Sequence, residues 1–543
     1  MKKFFVLMAL LCMLSLPMLS SAQDTMPELF IAGSAVNSGS NGIIFDNDNN
    51  LVVASALSSI ISIVDPESGD ILETYDFSDG ITNPDDVFVM DDGTILYTDI
   101  LGGAVGMISP DGERSTLAQL PPGSNPITMT DNGRLFVSLC FLGDDVYEID
   151  VETGEFTAIV EDLGGCGLNG MDIGPDGALY GPLWFGGAVA RVDLDTFELN
   201  PVADSFTTPA ALKFDNMGTL HVVDAFTQEV IQVDLETGEL TVIASLDATP
   251  DNLAFDADNR LYVSSFSDGS VVEVLDDGSL RTVLAGGIMA TGGLTVQGDT
   301  LYVADFLALK GYDLASGDQT YNVPDVIGFS PLGAVSTVAS YGDNLLTTSW
   351  FTSAVNVWNP ETNELVGNYT DFGVPLNAIE FDGDIIVADL ISSSVIWADG
   401  DNPEDRMVLT DAMTVPAGLV GDGSDLYAGD WATGEIWQLI DDGEILDSPM
   451  LVVDGLVFPE GLALDGDELL IVETGVSWVS SYNLETGDIS VVAEIPGGAV
   501  QGIGLPIQEG YPPTNVFTGL ALDADGNLYV AGDIVSGIYR IAR

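Results

Sequence analysis

NGIIF (residues 41–45), LVVAS (51–55), IISIVD (60–65) and ILETYDF (71–77) read as four short strands in succession. Apolar and β-branched residues alternate within each piece, and Gly, Asp and Asn stand at the joins, which is the pattern of antiparallel hairpins. The second piece recurs along the whole chain. Its first residue returns as Leu51, Ile95, Leu135, Leu179, Leu220, Leu261, Leu301, Leu345, Ile385, Leu426, Leu469 and Leu528, a spacing of roughly 40 to 45 residues that marks four-stranded propeller blades. Twelve such anchors in one chain exceed the roughly 4 to 8 blades of an ordinary propeller. The expected fold is therefore all-β, two tandem six-bladed β-propellers, with one twelve-bladed ring as the alternative.

The chain ends suggest how the rings close. ELFIAGS (28–34) is an outer strand with no blade before it, GIYRIAR (537–543) is a third strand with none after it, and RTVLAGG (281–287) follows the sixth repeat. We expect 28–34 to complete blade six and 281–287 to complete blade twelve, which divides the mature chain into 23–280 and 281–543. Two joins, 322–333 and 497–515, are longer than the rest and rich in Pro and Gly. The second is placed to lean over the mouth of the second ring.

Residues 1–22 carry Lys2 and Lys3, an apolar run from Phe4 to Leu16, and Ser20-Ser21-Ala22 before Gln23. This is the form of a cleavable secretory signal, so a secreted or periplasmic protein cut near Ala22 is expected. No later apolar stretch approaches the roughly 18 residues of a membrane helix. Lys and Arg total 12 against 85 Asp and Glu, a formal net charge of −73. Such a field repels nucleic-acid phosphates and anionic lipid heads, which excludes nucleic acid and membrane insertion, and it favours divalent cations and cationic ligands. The carboxylates are spread along the chain, as suits solubility in a salty or extracellular medium. Cys12 lies in the leader, while Cys140 and Cys166 fall in loops on the same face of neighbouring blades. In an exported chain these two are expected to form a disulfide.

Residues leading into the innermost strands ring a propeller's channel on one face. In the first six repeats they are Asn41, Asp85, Asn125, Asn169, Ala210 and Asp251. Converging carboxylate and amide oxygens suit a divalent cation, calcium or magnesium; the same residue types also favour tight turns. The matching positions of the second ring, Gly292, Ser336, Asn377, Ala417, Glu460 and Thr518, form a poorer donor set. That ring instead carries Phe306, Trp350 and Trp431 directly after second strands, where aromatics either stack on a ligand or pack between blades. His221 is the only histidine and takes the slot of Tyr262 in a sister repeat, so a strand role is expected and a Ser-His-Asp triad is not. The Asp-rich turns at Asp46, Asp256 and Asp523 have Leu57, Ser267 and Ile534 at the twelfth position, not the Glu of a calcium loop, and read as hairpin turns.

SNGIIFDNDNNLVVA (40–54), LNGMDIGPDGALYG (168–181) and PEGLALDGDELLIVET (459–474) carry a repeat that resembles the senescence marker protein/gluconolactonase-like propellers of the calcium-dependent phosphotriesterase superfamily. More loosely it is similar to NHL-repeat and virginiamycin B lyase-like propellers. The resemblance implies a divalent cation held at the channel by a Glu, two Asn and an Asp, with the Asp activating water. Carried over, Asp251, Asn41 and Asp85 stand for the Asn, Asn and Asp, and Asn169 falls where the Glu belongs. Two function classes follow. One is an exported, monomeric propeller binding a small molecule, glycan or extracellular protein on one face, with Asn125, Asn377, Glu460, Trp350 and Trp431 as contacts. The other is a metal-dependent lactonase in which Asp85 activates water. A repeat shared by many activities does not choose between them.

Overall fold

The computed structural model describes residues 26–34, 36–306, 308–496, 517–532 and 537–543. Both the leader, 1–22, and the 497–515 join expected over the second mouth lie outside them. The described residues form twelve four-stranded antiparallel sheets and a single 3-10 turn, Phe77–Asp79. No helix among them is long and apolar enough to cross a membrane.

In the first sheet Ser40–Phe45, Leu51–Ser55, Ile60–Val64 and Ile71–Tyr75 lie side by side in that order. Leu51–Ser55 is buried along its whole length, whereas Ile71–Tyr75 is exposed except at Tyr75. A second strand is sandwiched between neighbouring sheets on both faces, so it reads as an unbroken apolar run, while the outer strand meets water. The joins are Asx turns. Asp46 Oδ1 accepts the backbone N–H groups of Asp48 and Asn50 at 2.9 and 2.7 Å, and Asp256 and Asp523 hold their turns in the same way. A short side-chain acceptor thus fixes each reversal where the sequence places Asp.

The innermost strands form two cycles of neighbours. In the first, contacts run from Ser40–Phe45 through successive sheets to Pro250–Phe255, which packs back on Ser40–Phe45. Hydroxyls on second strands tie sheet to sheet: Thr98 Oγ1 donates to the Asn125 carbonyl at 2.6 Å and Ser264 Oγ to the Asn41 carbonyl at 2.5 Å. The latter bond joins sixth sheet to first. In the second cycle Leu520–Leu522 packs back on Thr291–Gln297, and the Gly519 N–H donates to the Gly292 carbonyl at 3.3 Å.

The closing strands differ from the expectation. Glu28–Ile31 pairs with Gly537–Ile541, Glu28 opposite Arg540, and so completes the twelfth sheet. Leu280–Leu284 is instead the outer strand of the sixth, paired with Val271–Val274. The reason is local: the turn at 275–279 returns the chain on itself, with the Leu275 N–H donating to Ser279 O at 2.9 Å, so the sixth sheet completes itself and only the last is left short. A division at 280/281 therefore falls inside a strand. Ile31 packs with Tyr529 and Ile538, Phe30 meets Tyr529 edge-on at 5.3 Å, and Arg540 pairs with Glu28 at 2.7 Å. Where the cycles meet, buried Lys310 pairs with Asp305 at 2.6 Å and donates to the Ser267 carbonyl at 3.1 Å.

Candidate functional site

A cavity of about 120 Å³ opens where the first cycle's innermost strands begin. Its floor is made by Asn41, Asp85, Asn125 and Asp251, and its rim by Ile100, Phe141, Trp184 and Phe266, each just after a second strand. Register irregularities in the innermost strands, between Ser40 and Ile43, Pro84 and Val87, Ser124 and Ile127, and Pro250 and Leu253, set the floor apart from the ladder below. A bulge re-aims one side chain without breaking the sheet. Asp85 thereby lines the cavity while Asp86 turns into the packing, accepting the N–H groups of Ile127 and Val87 at 3.0 and 2.9 Å. Residue 42 must be glycine beside it, because a Cβ there would lie 2.1 Å from Asp86 Oδ1.

Asn41 Nδ2 donates to Asp85 Oδ1 at 2.9 Å. Asp85 is 2% exposed, and its Oδ2 has no hydrogen-bond partner among the described residues; neither has Thr249 Oγ1 on the same cavity. An unpaired buried oxygen costs about 1–3 kcal/mol, more when charged, so a donor or a cation bound here would be favoured. Burial first, then the charges of Asp251, Asp86 and Asp99, hold the Asp85 carboxyl well above the usual carboxylate range. Burial, with Asp86 adding to it, pushes Asp251 up to about 7. Asn169 is buried but is not among the residues lining the cavity. The fourth sheet's innermost strand is only Asp172–Ile173, so Asn169 sits ahead of it, with its N–H on the Pro182 carbonyl at 3.0 Å.

The rim is braced by the disulfide that the sequence led us to expect and by aromatic contacts that it did not place. Cys140 and Cys166 form a disulfide. Phe141 follows in a left-handed conformation, φ 64°, and its ring meets Trp184 edge-on at 5.3 Å and Phe185 at 6.4 Å. A roof comes from the other cycle: Asp325, Val326 and Ile327, in the long join after the seventh sheet, close over the cavity. Trp184 Nε1 donates to the Ile327 carbonyl at 3.1 Å, and Phe329 stacks on Phe185 at 6.3 Å. Asp325 staples this join by accepting the N–H groups of Gly333 and Val335 at 3.2 and 3.1 Å. Replacing both cysteines with Ser should lower unfolding stability by about 2–4 kcal/mol, read as a lower urea midpoint with a slope that stays the same or steepens as the released chain opens further. An unchanged midpoint would mean that the brace contributes nothing.

The second cycle is built differently. Leu376, Ala417 and Phe517 form an apolar plug at the matching face, with Trp350 and Trp431 packed against it. Trp350 Nε1 donates to the Leu376 carbonyl at 3.3 Å, and Trp431 Nε1 to Glu460 Oε1 at 3.0 Å while its ring stacks on Phe458 at 4.2 Å. Glu460 also accepts the Thr518 N–H at 2.6 Å. Asn377 lines a separate channel of about 250 Å³ from below, its Oδ1 turned back to the Ala378 N–H at 2.9 Å. His221 packs beside Phe255 at 5.0 Å, and burial lowers its pKa.

Among the described residues no group of three or more His, Cys, Asp or Glu side chains is arranged to hold a metal ion. The donors that do converge are hard oxygens from Asp85, Asp251, Asn41, Asn125 and Thr249. Such a set fits calcium, magnesium or an N–H cation and is ill-suited to metals that want thiolate or imidazole.

No curated protein matches the sequence. Among solved structures, a streptogramin B lyase aligns at 20% identity over 51% of this chain and 94% of its own, TM-score 0.39. Virginiamycin B lyase from Staphylococcus aureus aligns at 17% identity over 51% and 94%, TM-score 0.38. The extracellular domain of a candidate one-component system from B. thetaiotaomicron aligns at 12% identity over 95% and 82%, TM-score 0.32. Residues 86–304, which begin just after Asp85 and run from the second sheet into the seventh, match the family described as the SMP-30/Gluconolactonase/LRE-like region, and the chain resembles that family there.

Proposed function

We propose that this chain is an exported, ligand-binding protein of two propeller units, whose first unit holds a cation between Asp85 and Asp251, with calcium and magnesium as the inorganic candidates. The observation that carries this reading is the unpartnered Asp85 Oδ2, buried in a cavity that a second carboxylate also lines. Two carboxylates there oppose each other's ionisation, and a bound cation relieves both the repulsion and the missing partner. The negative field of the chain concentrates cations at the mouth. A lactonase reading would place a substrate beside Asp85, but the roof leaves about 120 Å³, below the roughly 300–1,000 Å³ of sites that enclose organic ligands of drug size. The binding reading is therefore preferred.

The test is a melting curve at low ionic strength with and without calcium or magnesium. A bound ion should add ~2.7 kcal/mol at a hundredfold excess over its dissociation constant, and Asp85→Asn combined with Asp251→Asn should abolish the gain while leaving the fold intact. If neither ion moves the melting temperature, or the double variant responds like the parent, the floor is a set of turn residues.

A further inference from the structure

The rim and roof of the first cavity do nothing for a bare metal ion. Ile100, Phe141, Trp184, Phe266, Val326 and Ile327 offer it no side-chain oxygen, and the two polar residues there are already engaged, Asp325 by the N–H groups of Gly333 and Val335 and Ser267 by the Thr249 N–H, whereas calcium takes 6–8 oxygen ligands and magnesium keeps most of its waters. The floor, by contrast, presents two acceptors without donors, Asp85 Oδ2 and Thr249 Oγ1, beside a second carboxylate, Asp251. A site whose free acceptors lie at one end, with the roof carboxylate of Asp325 turned to its own join and aromatic and aliphatic walls between, matches a ligand with a charged N–H head and a short apolar body.

We propose that the first cavity is a binding site for a small organic ammonium, its N–H groups donating to Asp85, Asp251 and Thr249 and its carbon body lying between Trp184, Phe141 and the Ile327 roof. This rests on the reading of the floor as a cation site and narrows what the cation carries. A primary ammonium has three donors in a compact head, which matches three converging acceptors, and a cation near an aromatic wall gains further from the ring quadrupole. The cavity volume of about 120 Å³ limits the body to a few carbon atoms. The roof makes that limit: the Ile327 carbonyl is tied to the Trp184 indole, and Gly328 lies so close to Phe185 that a Cβ would stand 2.7 Å from the ring, at a φ of +82°. The second unit thus supplies the wall that sets ligand length in the first.

Calorimetric titration of the full mature chain with ethylammonium chloride tests this, at pH 8 and fixed ionic strength in sodium chloride. One saturable site is expected, at least tenfold weaker in Trp184→Ala, weaker again in Thr249→Val and absent in Asp85→Asn, while calcium affinity is unchanged in Trp184→Ala. Thr249→Val keeps the shape of the site and removes only the hydroxyl, so it reads the head contact even if the tryptophan variant folds poorly. Calcium bound at Asp85 with no ethylammonium site would overturn this inference and leave the cation reading standing. Binding of neither would remove both. Ethylammonium held equally well by Asp85→Asn would place it elsewhere and likewise overturn the proposal.

Discussion

Removal of residues 26–31 from the mature chain should destabilise the second cycle and spare the first. Glu28–Ile31 supplies the outer strand of the last sheet, so its loss exposes the edge of Gly537–Ile541 and opens the apolar cluster around Tyr529 and Ile538. Burying Ile31 alone contributes about 1.5–3 kcal/mol; the lost ladder bonds and the Phe30–Tyr529 contact add to it. A loss of at least ~3 kcal/mol is expected, seen as one calorimetric transition moving down by several degrees. Proteolysis should then begin beyond residue 284. A first-cycle transition that falls instead would contradict the strand pairing, because Leu280–Leu284 closes that sheet without help from the N-terminus.

Asp251→Asn should stabilise the cation-free protein at pH 8 and do little at pH 4. Burial pushes the folded-state pKa of Asp251 up to about 7, against an unfolded value near 3.9. The folded chain therefore holds a proton that the unfolded chain has lost throughout the interval between these values. Stability falls as pH rises through it, and the full penalty, about 4 kcal/mol at most, is present above pH 7. An uncharged amide escapes the penalty. Denaturant melts of both proteins across pH 4 to 8 should diverge steadily, and the gap should close when a cation is added. A difference independent of pH would mean that ionisation of this carboxylate is not what the fold opposes.

The repeat was legible because each second strand is pressed between sheets and opens on buried apolar residues: the anchors from Leu51 to Leu528 are each the first or second residue of such a strand. The convergence of the approach residues was legible for the same reason, since the approach to an innermost strand is fixed relative to that anchor. Asn41, Asp85, Asn125 and Asp251 come together; Asn169 does not, because its sheet starts late. The aromatic rim was within reach of the same rule. Aromatics just after second strands were singled out at Trp350 and Trp431, where they cover an apolar plug, while the equivalent Phe141 and Trp184 line the first cavity. Two features could not be read. The closing strand depends on whether the turn at 275–279 completes its own sheet, which a motif search does not decide. The roof depends on docking between Trp184 and Ile327, 143 residues apart, and nothing local to either residue announces the other.

Whether the first cavity holds a cation is read from an anomalous difference map of crystals grown with manganese chloride, a stand-in for calcium and magnesium with a strong signal. A peak is expected in the first cavity, bounded by Asp85 and Asp251, and none there in crystals of the Asp85→Asn, Asp251→Asn double variant. Peaks confined to surface carboxylates, with the first cavity empty of manganese, would contradict the cation reading.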